Sequence, residues 1–218
     1  MTSKTQIDHL GERLRQGTVT DADVKLLDSY RRSFTTAYES VIAAIRDAVD
    51  FGPTGRPAKS TTSIVDKLQR ESIRLTQMQD IAGCRLVVPR IGTQDRLVKL
   101  LGKRLTAAIV DRRKKPSHGY RAVHVIATVD SKPIEIQVRT TLQHLWAEFS
   151  EKLSDVVDPA IKYGGGPADW RRVLDGISET VARVEALELQ RVSTDRRKEI
   201  RNVRQQLRRM LRNATKNL

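Results

Sequence analysis

The chain is short of the residues on which several chemistries depend. It has one cysteine, Cys84, in 218 residues, so an internal disulfide framework and a paired-cysteine metal knuckle are excluded. Its four histidines never fall in the HExxH spacing of a zinc protease. Aromatic residues make up only 4% of the chain. No apolar run approaches the roughly 20 residues that cross a bilayer, and the opening MTSKTQIDHLGERLRQ lacks the apolar core of a signal peptide. A cytoplasmic protein without a membrane partner is expected. Neither GxxxxGK[ST] nor GxGxxG occurs, which removes the main support for a P-loop or a Rossmann dinucleotide site.

Positive charge is abundant. Forty Lys+Arg against 26 Asp+Glu give a formal net charge of +14, which calls for a polyanionic partner: nucleotide, nucleic acid or anionic surface. Ten basic residues stand against two acidic ones between Arg191 and Leu218, so more than half the excess lies in the tail. There Ile200, Val203, Leu207, Met210 and Ala214 recur at alternating three- and four-residue steps, which predicts a coiled-coil-like seam and a homo-oligomer through the C-terminal helices. The arginines on its other faces suit solubility or RNA contact.

Local patterns give an alternation of helices and strands. Thr20 and Asp23 have capping-box spacing, and Leu27, Tyr30, Phe34, Tyr38, Val41, Ile42 and Ile45 follow at helical steps, predicting one long helix to about Val49. Phe51 to Ser63 reads as a loop leading into a helix with Ile64, Lys67 and Leu68. Strands are predicted at Ile81–Pro89, Ala107–Asp111, Arg121–Val129 and Lys132–Thr140, with helices at Thr93–Leu105 and Thr141–Leu153 and two more at the end. In the fourth strand Ile134, Ile136 and Val138 share one face and Glu135, Gln137 and Arg139 the other. Cys84, inside an apolar strand, reads as a buried small side chain; Trp146 and His144 read as packing groups. Gly164 to Gly166 read as a flexible connector or a loop closing over substrate.

Two carboxylates stand out. Asp80 precedes one strand and Glu135 lies on the polar face of another; such a pair can hold Mg²⁺ through hard oxygen ligands, and Mg²⁺ bridges nucleotide phosphates. Their bland alternatives are a turn acid and a cross-strand ion-pair partner. The segment DRRKKPSHGYRAVH places Arg112, Arg113, Lys114 and Lys115 beside Tyr120, Arg121 and His124. Clustered cations bind phosphates and a tyrosine ring offers a base a stacking face; the alternative is a hairpin loop anchored by its tyrosine.

The blocks GRPAKSTTSIVDKL, DIAGCRLVV, HGYRAVH, EIQVRT and QHLWAE, in this order, resemble the synthetase domain of the RelA/SpoT family, the enzymes that make (p)ppGpp. The resemblance covers roughly Tyr30 to Lys162. It implies a mixed β-sheet flanked by helices, distantly related to nucleotidyltransferases, in a synthetase-only form. It further implies an N-terminal extension at 1–19, a synthetase domain at 20–165 and basic C-terminal helices at 166–218. The implied reaction is Mg²⁺-dependent transfer of pyrophosphate from ATP to the 3′-hydroxyl of GDP or GTP. By motif, Asp80 matches the Mg²⁺-binding acid and Glu135 the acid that shares the ion and activates the hydroxyl. Arg56 and Arg85 match the pair that sandwiches adenine, Lys67 a donor-phosphate contact and Tyr120 the acceptor-base stacker. Lys114, Lys115 and Arg121 are candidates for acceptor phosphates, and His124 and Gln137 for orienting the acceptor. The interval from GR to SI is about one residue longer than the usual form, which leaves Lys59 without an assigned role. His118 stands where a small amide or hydroxyl residue is usual. Two other readings remain open: a toxic small synthetase acting on the 3′-terminal adenosine of tRNA, with an antitoxin as partner, and a non-catalytic RNA-binding or oligomerisation module.

Overall fold

The computed structural model describes residues 2–49 and 52–218; Phe51, with which the expected loop opens, lies outside them. The elements, in order, are α1 (Lys4–Gln16), α2 (Asp21–Arg32), α3 (Thr35–Arg46), β1 (Thr54–Arg56), α4 (Thr61–Arg70), β2 (Ala82–Val88), α5 (Ile91–Arg104), β3 (Ala107–Asp111), β4 (Val123–Val129), β5 (Lys132–Thr140), α6 (Thr141–Val156), α7 (Ala168–Leu189) and α8 (Thr194–Lys216). The strands form one five-stranded sheet in the order β1-β2-β5-β4-β3. This is the mixed sheet flanked by helices that was expected. No helix among the described residues is long and apolar enough to cross a membrane. The chain divides into two compact units, one comprising residues up to 85 with 101–108 and 125–136, the other 86–100, 109–124 and 137–218.

In the first unit, α2 opens on the capping box read from Thr20 and Asp23, and the carboxylate of Asp23 also receives Arg13 of α1 at 2.6 Å. Leu10, Leu27, Ile45, Ile64 and Leu68 are fully buried, each contributing about 1.5–3 kcal/mol of apolar transfer.

The single long helix expected from Thr20 to Val49 is two helices. The apolar steps run unbroken through the junction, but the Ser33 hydroxyl donates to the Tyr30 carbonyl at 2.6 Å. The Phe34 N–H turns instead to the Arg31 carbonyl at 3.2 Å, closing a tighter turn. A serine side chain competing for a helical carbonyl is a recognised way to break the ladder. Lys132 at the start of β5 secures the break: its ammonium donates to Ser33 Oγ at 2.9 Å and stands 4.7 Å from the Phe34 ring centroid.

The predicted loop after residue 51 also contains a strand. β1 pairs antiparallel with β2, Gly55 opposite Cys84 and Arg56 opposite Gly83.

In the second unit, α6 and α7 pack with α8 around Leu142, Trp146, Phe149, Leu153, Leu174, Val181, Leu207 and Leu211. Trp146 donates from Nε1 to the Leu174 carbonyl at 2.9 Å, so it is a core group, as read. Buried Glu185 on α7 accepts from the Thr140 hydroxyl and from Gln143 Nε2 at 2.9 Å. Burial raises its pKa despite those bonds.

The C-terminal seam differs from the one expected. Ile200, Leu207 and Leu211 are buried, whereas Val203 is 48% and Met210 52% exposed. Between Ile200 and Leu207 the inward position is Arg204, whose Nε lies 3.0 Å from Glu188 of α7. Leu207 therefore packs into the chain's own core.

Candidate active site

The acid read as a metal ligand sits in the first unit, in the turn before β2. Lys59 precedes α4 and its N–H donates to the Ile81 carbonyl at 2.7 Å, which fixes it beside that turn. Its Nζ reaches Asp80 Oδ2 at 2.7 Å, and Lys67, one turn from the end of α4, reaches Oδ1 at 2.9 Å. Arg56, at the end of β1, adds Nη2 3.7 Å from Oδ2. Burial opposes charge on Asp80, but the attraction of Lys67 and Lys59 outweighs it and holds the pKa at about 2. Burial lowers the pKa of Lys59, and Asp80 offsets part of that effect. The result is a carboxylate that stays ionised inside a ring of three cations. Lys59, left without a role by sequence, thus has the shortest contact in the cluster.

Arg85 and Glu135 are half-buried on β2 and β5, which are neighbours in the sheet. A methyl group on Gly83 would stand 2.5 Å from the Glu135 carbonyl oxygen, so glycine permits the close approach of these two strands beside Asp80. Cys84 is buried, as expected; burial, with the Glu135 charge adding to it, pushes its thiol up to about 12. It is not a nucleophile at neutral pH.

The donor set suits Mg²⁺ chemically. Carboxylate oxygens are hard ligands, and this ion is usually held by one or two carboxylates completed by substrate phosphates. No group of three His, Cys, Asp or Glu assembles among the described residues, and two acids satisfy that pattern. Both oxygens of Asp80 already bear ammonium groups, which arriving phosphates would have to draw away or share.

The acceptor candidates lie in the second unit. Ser117 to Tyr120 close a tight turn, with the Tyr120 N–H donating to the Ser117 carbonyl at 2.9 Å. His118 and Gly119 both have positive φ, 51° and 82°. That conformation favours Asn, Asp or Gly, so a histidine at 118 holds a backbone its type rarely adopts. Tyr120 is half-buried rather than exposed, and packs against the α6–α8 core. Its hydroxyl is 2.9 Å from His124 Nε2 and accepts from Arg139 Nη2 at 3.1 Å. The Arg139 guanidinium also covers the ring at 5.0 Å and donates to Gln137 Oε1 at 2.9 Å. Tyr120, His124, Gln137 and Arg139 are therefore one cluster. Arg121 points back into the loop, donating to the Arg113 carbonyl at 2.7 Å. Lys114 and Lys115 are exposed.

Two members were missed or misjudged from sequence. Arg139 looked like the third polar residue of an alternating strand but is only 3% exposed, and its Nε and Nη1 have no hydrogen-bond partner among the described residues. Arg113, counted with the phosphate cations, is a staple: it binds Asp111 at 2.8 Å and Asp95 at 2.7 Å.

Residues 55–154 match the model of the region found in RelA/SpoT proteins. Uncharacterized proteins of Mycobacterium tuberculosis and Mycobacterium bovis are 41% identical over 115 residues, 50% of this chain and 42% of theirs. A probable chloroplastic GTP diphosphokinase of Arabidopsis thaliana is 28% identical over 156 residues, 68% of this chain and 22% of the relative. The chain thus spans less than half the length of these curated relatives. Small alarmone synthetase 1 from Bacillus subtilis, bound to its product pppGpp, shares the fold with a TM-score of 0.60 at 24% identity, over 74% of this chain and 94% of that one. A further structure of that synthetase superimposes with a TM-score of 0.55 at 25% identity, over 80% of this chain and 99% of the other.

Proposed function

We propose, from the match of residues 55–154 to the model of the region found in RelA/SpoT proteins, that this chain moves the β,γ-pyrophosphate of ATP onto the 3′-hydroxyl of a guanine nucleotide. The observation that carries the reading is the Asp80 cluster, an ionised carboxylate held by Lys59, Lys67 and Arg56. Reactions at phosphorus need charge neutralisation and positioning more than covalent help, and this cluster supplies both signs of charge at one place. The names of the plant relatives and the pppGpp bound to the Bacillus synthetase support a guanine acceptor.

The transfer forms a bond from the 3′ oxygen to the β-phosphorus and breaks the bond from that phosphorus to the α–β bridging oxygen, so AMP leaves. Glu135 accepts the proton of the attacking hydroxyl. Lys67 and Lys59 turn from Asp80 toward the phosphates and offset the charge that develops on the leaving AMP. Mg²⁺ held by Asp80 and Glu135 would supply further neutralisation of the phosphates. Arg56 and Arg85 lay guanidinium planes against adenine. Tyr120, fixed by His124 and Arg139, stacks on the acceptor base; Gln137 orients the acceptor, and Arg121, Lys114 and Lys115 meet its phosphates.

The test is incubation with ATP labelled on the γ-phosphate, Mg²⁺ and, in separate reactions, GDP, GTP or deacylated tRNA. Label on the guanine nucleotide with matching release of AMP is expected. Label on tRNA alone would replace the acceptor, and release of ADP in place of AMP would overturn pyrophosphate transfer.

A further inference from the structure

The arginine-rich tail is only partly accounted for by packing and by the reaction proposed above. A cleft of about 600 Å³ opens in the second unit where the end of α7 meets the first half of α8, within the range of pockets that hold small molecules. Five arginines line it, Arg90, Arg197, Arg201, Arg204 and Arg208, against one acid, Glu188. Arg204 is committed to the fold: it meets Glu188 at 3.0 Å and donates to the Pro89 carbonyl. Glu188 also attracts Arg90, so one carboxylate stands against five guanidinium groups. Among the described residues no side-chain hydrogen bond or ion pair is formed by Arg90, Arg197, Arg201 or Arg208, and the Nε of Arg208 is buried without a partner. Burial lowers the pKa of Arg204, and Arg90 and Arg208 lower it further.

The ordinary purpose of arginines at the end of a helix is to complement its negative pole, an effect confined to the last turn. Arg197, Arg201 and Arg208 are spread over twelve residues of α8, short of its last turn, so that purpose does not extend to them. Like charges gathered in a concavity repel one another unless an anion joins them.

We propose that this cleft binds a compact polyphosphate, with a nucleoside triphosphate as the fitting size. Arg197, Arg201, Arg208 and Arg90 take the phosphates, and Leu187, Val192 and Ile200 form an apolar wall for a base. A concave site favours a compact anion over an RNA backbone, which would find an extended row of cations more suitable. The site shares no residue with either cluster described above and stands independently of the proposed reaction.

Titration calorimetry with inorganic tripolyphosphate, at physiological ionic strength, tests it on two double variants that lose the same charge. Arg197→Gln with Arg201→Gln removes two exposed cleft cations; Arg196→Gln with Arg209→Gln removes two from the same helix outside the cleft. Any binding of the probe around Asp80 is common to both. The cleft variant should lose roughly tenfold or more in affinity, as expected for two charge-assisted contacts, while the other changes by less than about twofold. Equal losses would reduce the cleft to general electrostatics, and unchanged binding in the cleft variant would remove the site. A short single-stranded RNA serves as a second probe; loss of RNA affinity with tripolyphosphate binding intact would overturn the compact-anion reading.

Discussion

Replacing Asp80 with Asn tests the charged cluster through stability and turnover separately. An ordinary aspartate titrates near 3.9, and holding this one at about 2 corresponds to about 2.5 kcal/mol at ~1.36 kcal/mol per pKa unit. Because the folded pKa is depressed, that stabilisation is present above about pH 4 and is lost as pH falls toward 2. The substitution also leaves Lys59 buried without its anion, and breaking a buried pair from one side costs about 3–5 kcal/mol. Burial already lowers the Lys59 pKa, so shedding its proton limits the loss. We expect a decrease of about 3 kcal/mol at pH 7, a fall in Tm of roughly 6–12 °C for a chain of this size. Turnover should fall at least about a hundredfold. Urea unfolding of both proteins at pH 7 and through pH 5 to 2 gives the comparison. The double variant Lys59→Met, Asp80→Asn should regain most of the stability and none of the turnover, since the buried ammonium that would have been left without its anion is removed as well. The reasoning fails if Asp80→Asn lies within about 0.5 kcal/mol of the parent at pH 7, or if both proteins lose stability in parallel below pH 4.

Glu135→Gln should lower turnover about a hundredfold or more with an unchanged melting temperature; residual activity near the parent's would remove it as proton acceptor. Arg56→Ala should raise the KM for ATP, and Arg139→Lys, which loses the planar grip on Tyr120 and Gln137, should raise it for the acceptor; equal effects on both substrates would dissolve the assignment. Leu207→Asp should destabilise the chain by about 3 kcal/mol or more, whereas Val203→Asp should stay within about 0.5 kcal/mol, both read by urea unfolding. The Cys84 thiol, pushed up to about 12, should resist a disulfide reagent at pH 8 until the protein is unfolded.

The parts of the fold legible in the sequence are those whose pattern is enforced locally. Ile134, Ile136 and Val138 are fully buried on β5, as a period of two demands, and Thr20 caps α2 through a contact three residues away. The break at Ser33 was not legible because its decisive partner, Lys132, lies 99 residues on. β1 was hidden for a related reason. Three exposed residues, Thr54, Gly55 and Arg56, have no strand pattern of their own and are held by pairing with β2.

The tail shows how a charged residue within a packed stripe misleads a reading that follows apolar residues alone. The inward row of α8 runs through Ile200, Arg204, Leu207 and Leu211, and it is closed by an arginine whose Nε is beside Glu188. Counting only apolar positions replaces Arg204 with Val203 and Leu211 with Met210, and shifts the stripe onto the solvent face. The same blindness concealed Lys59 and Arg139, since both are cations made tolerable by a partner distant in sequence, Asp80 at one and Tyr120 at the other, where neighbouring Gln137 adds a second acceptor. A buried cation satisfies no periodicity. The motif could supply the acid, but only the fold supplies the cations that keep it charged, and it is through them that Asp80→Asn becomes a test of stability as well as of chemistry.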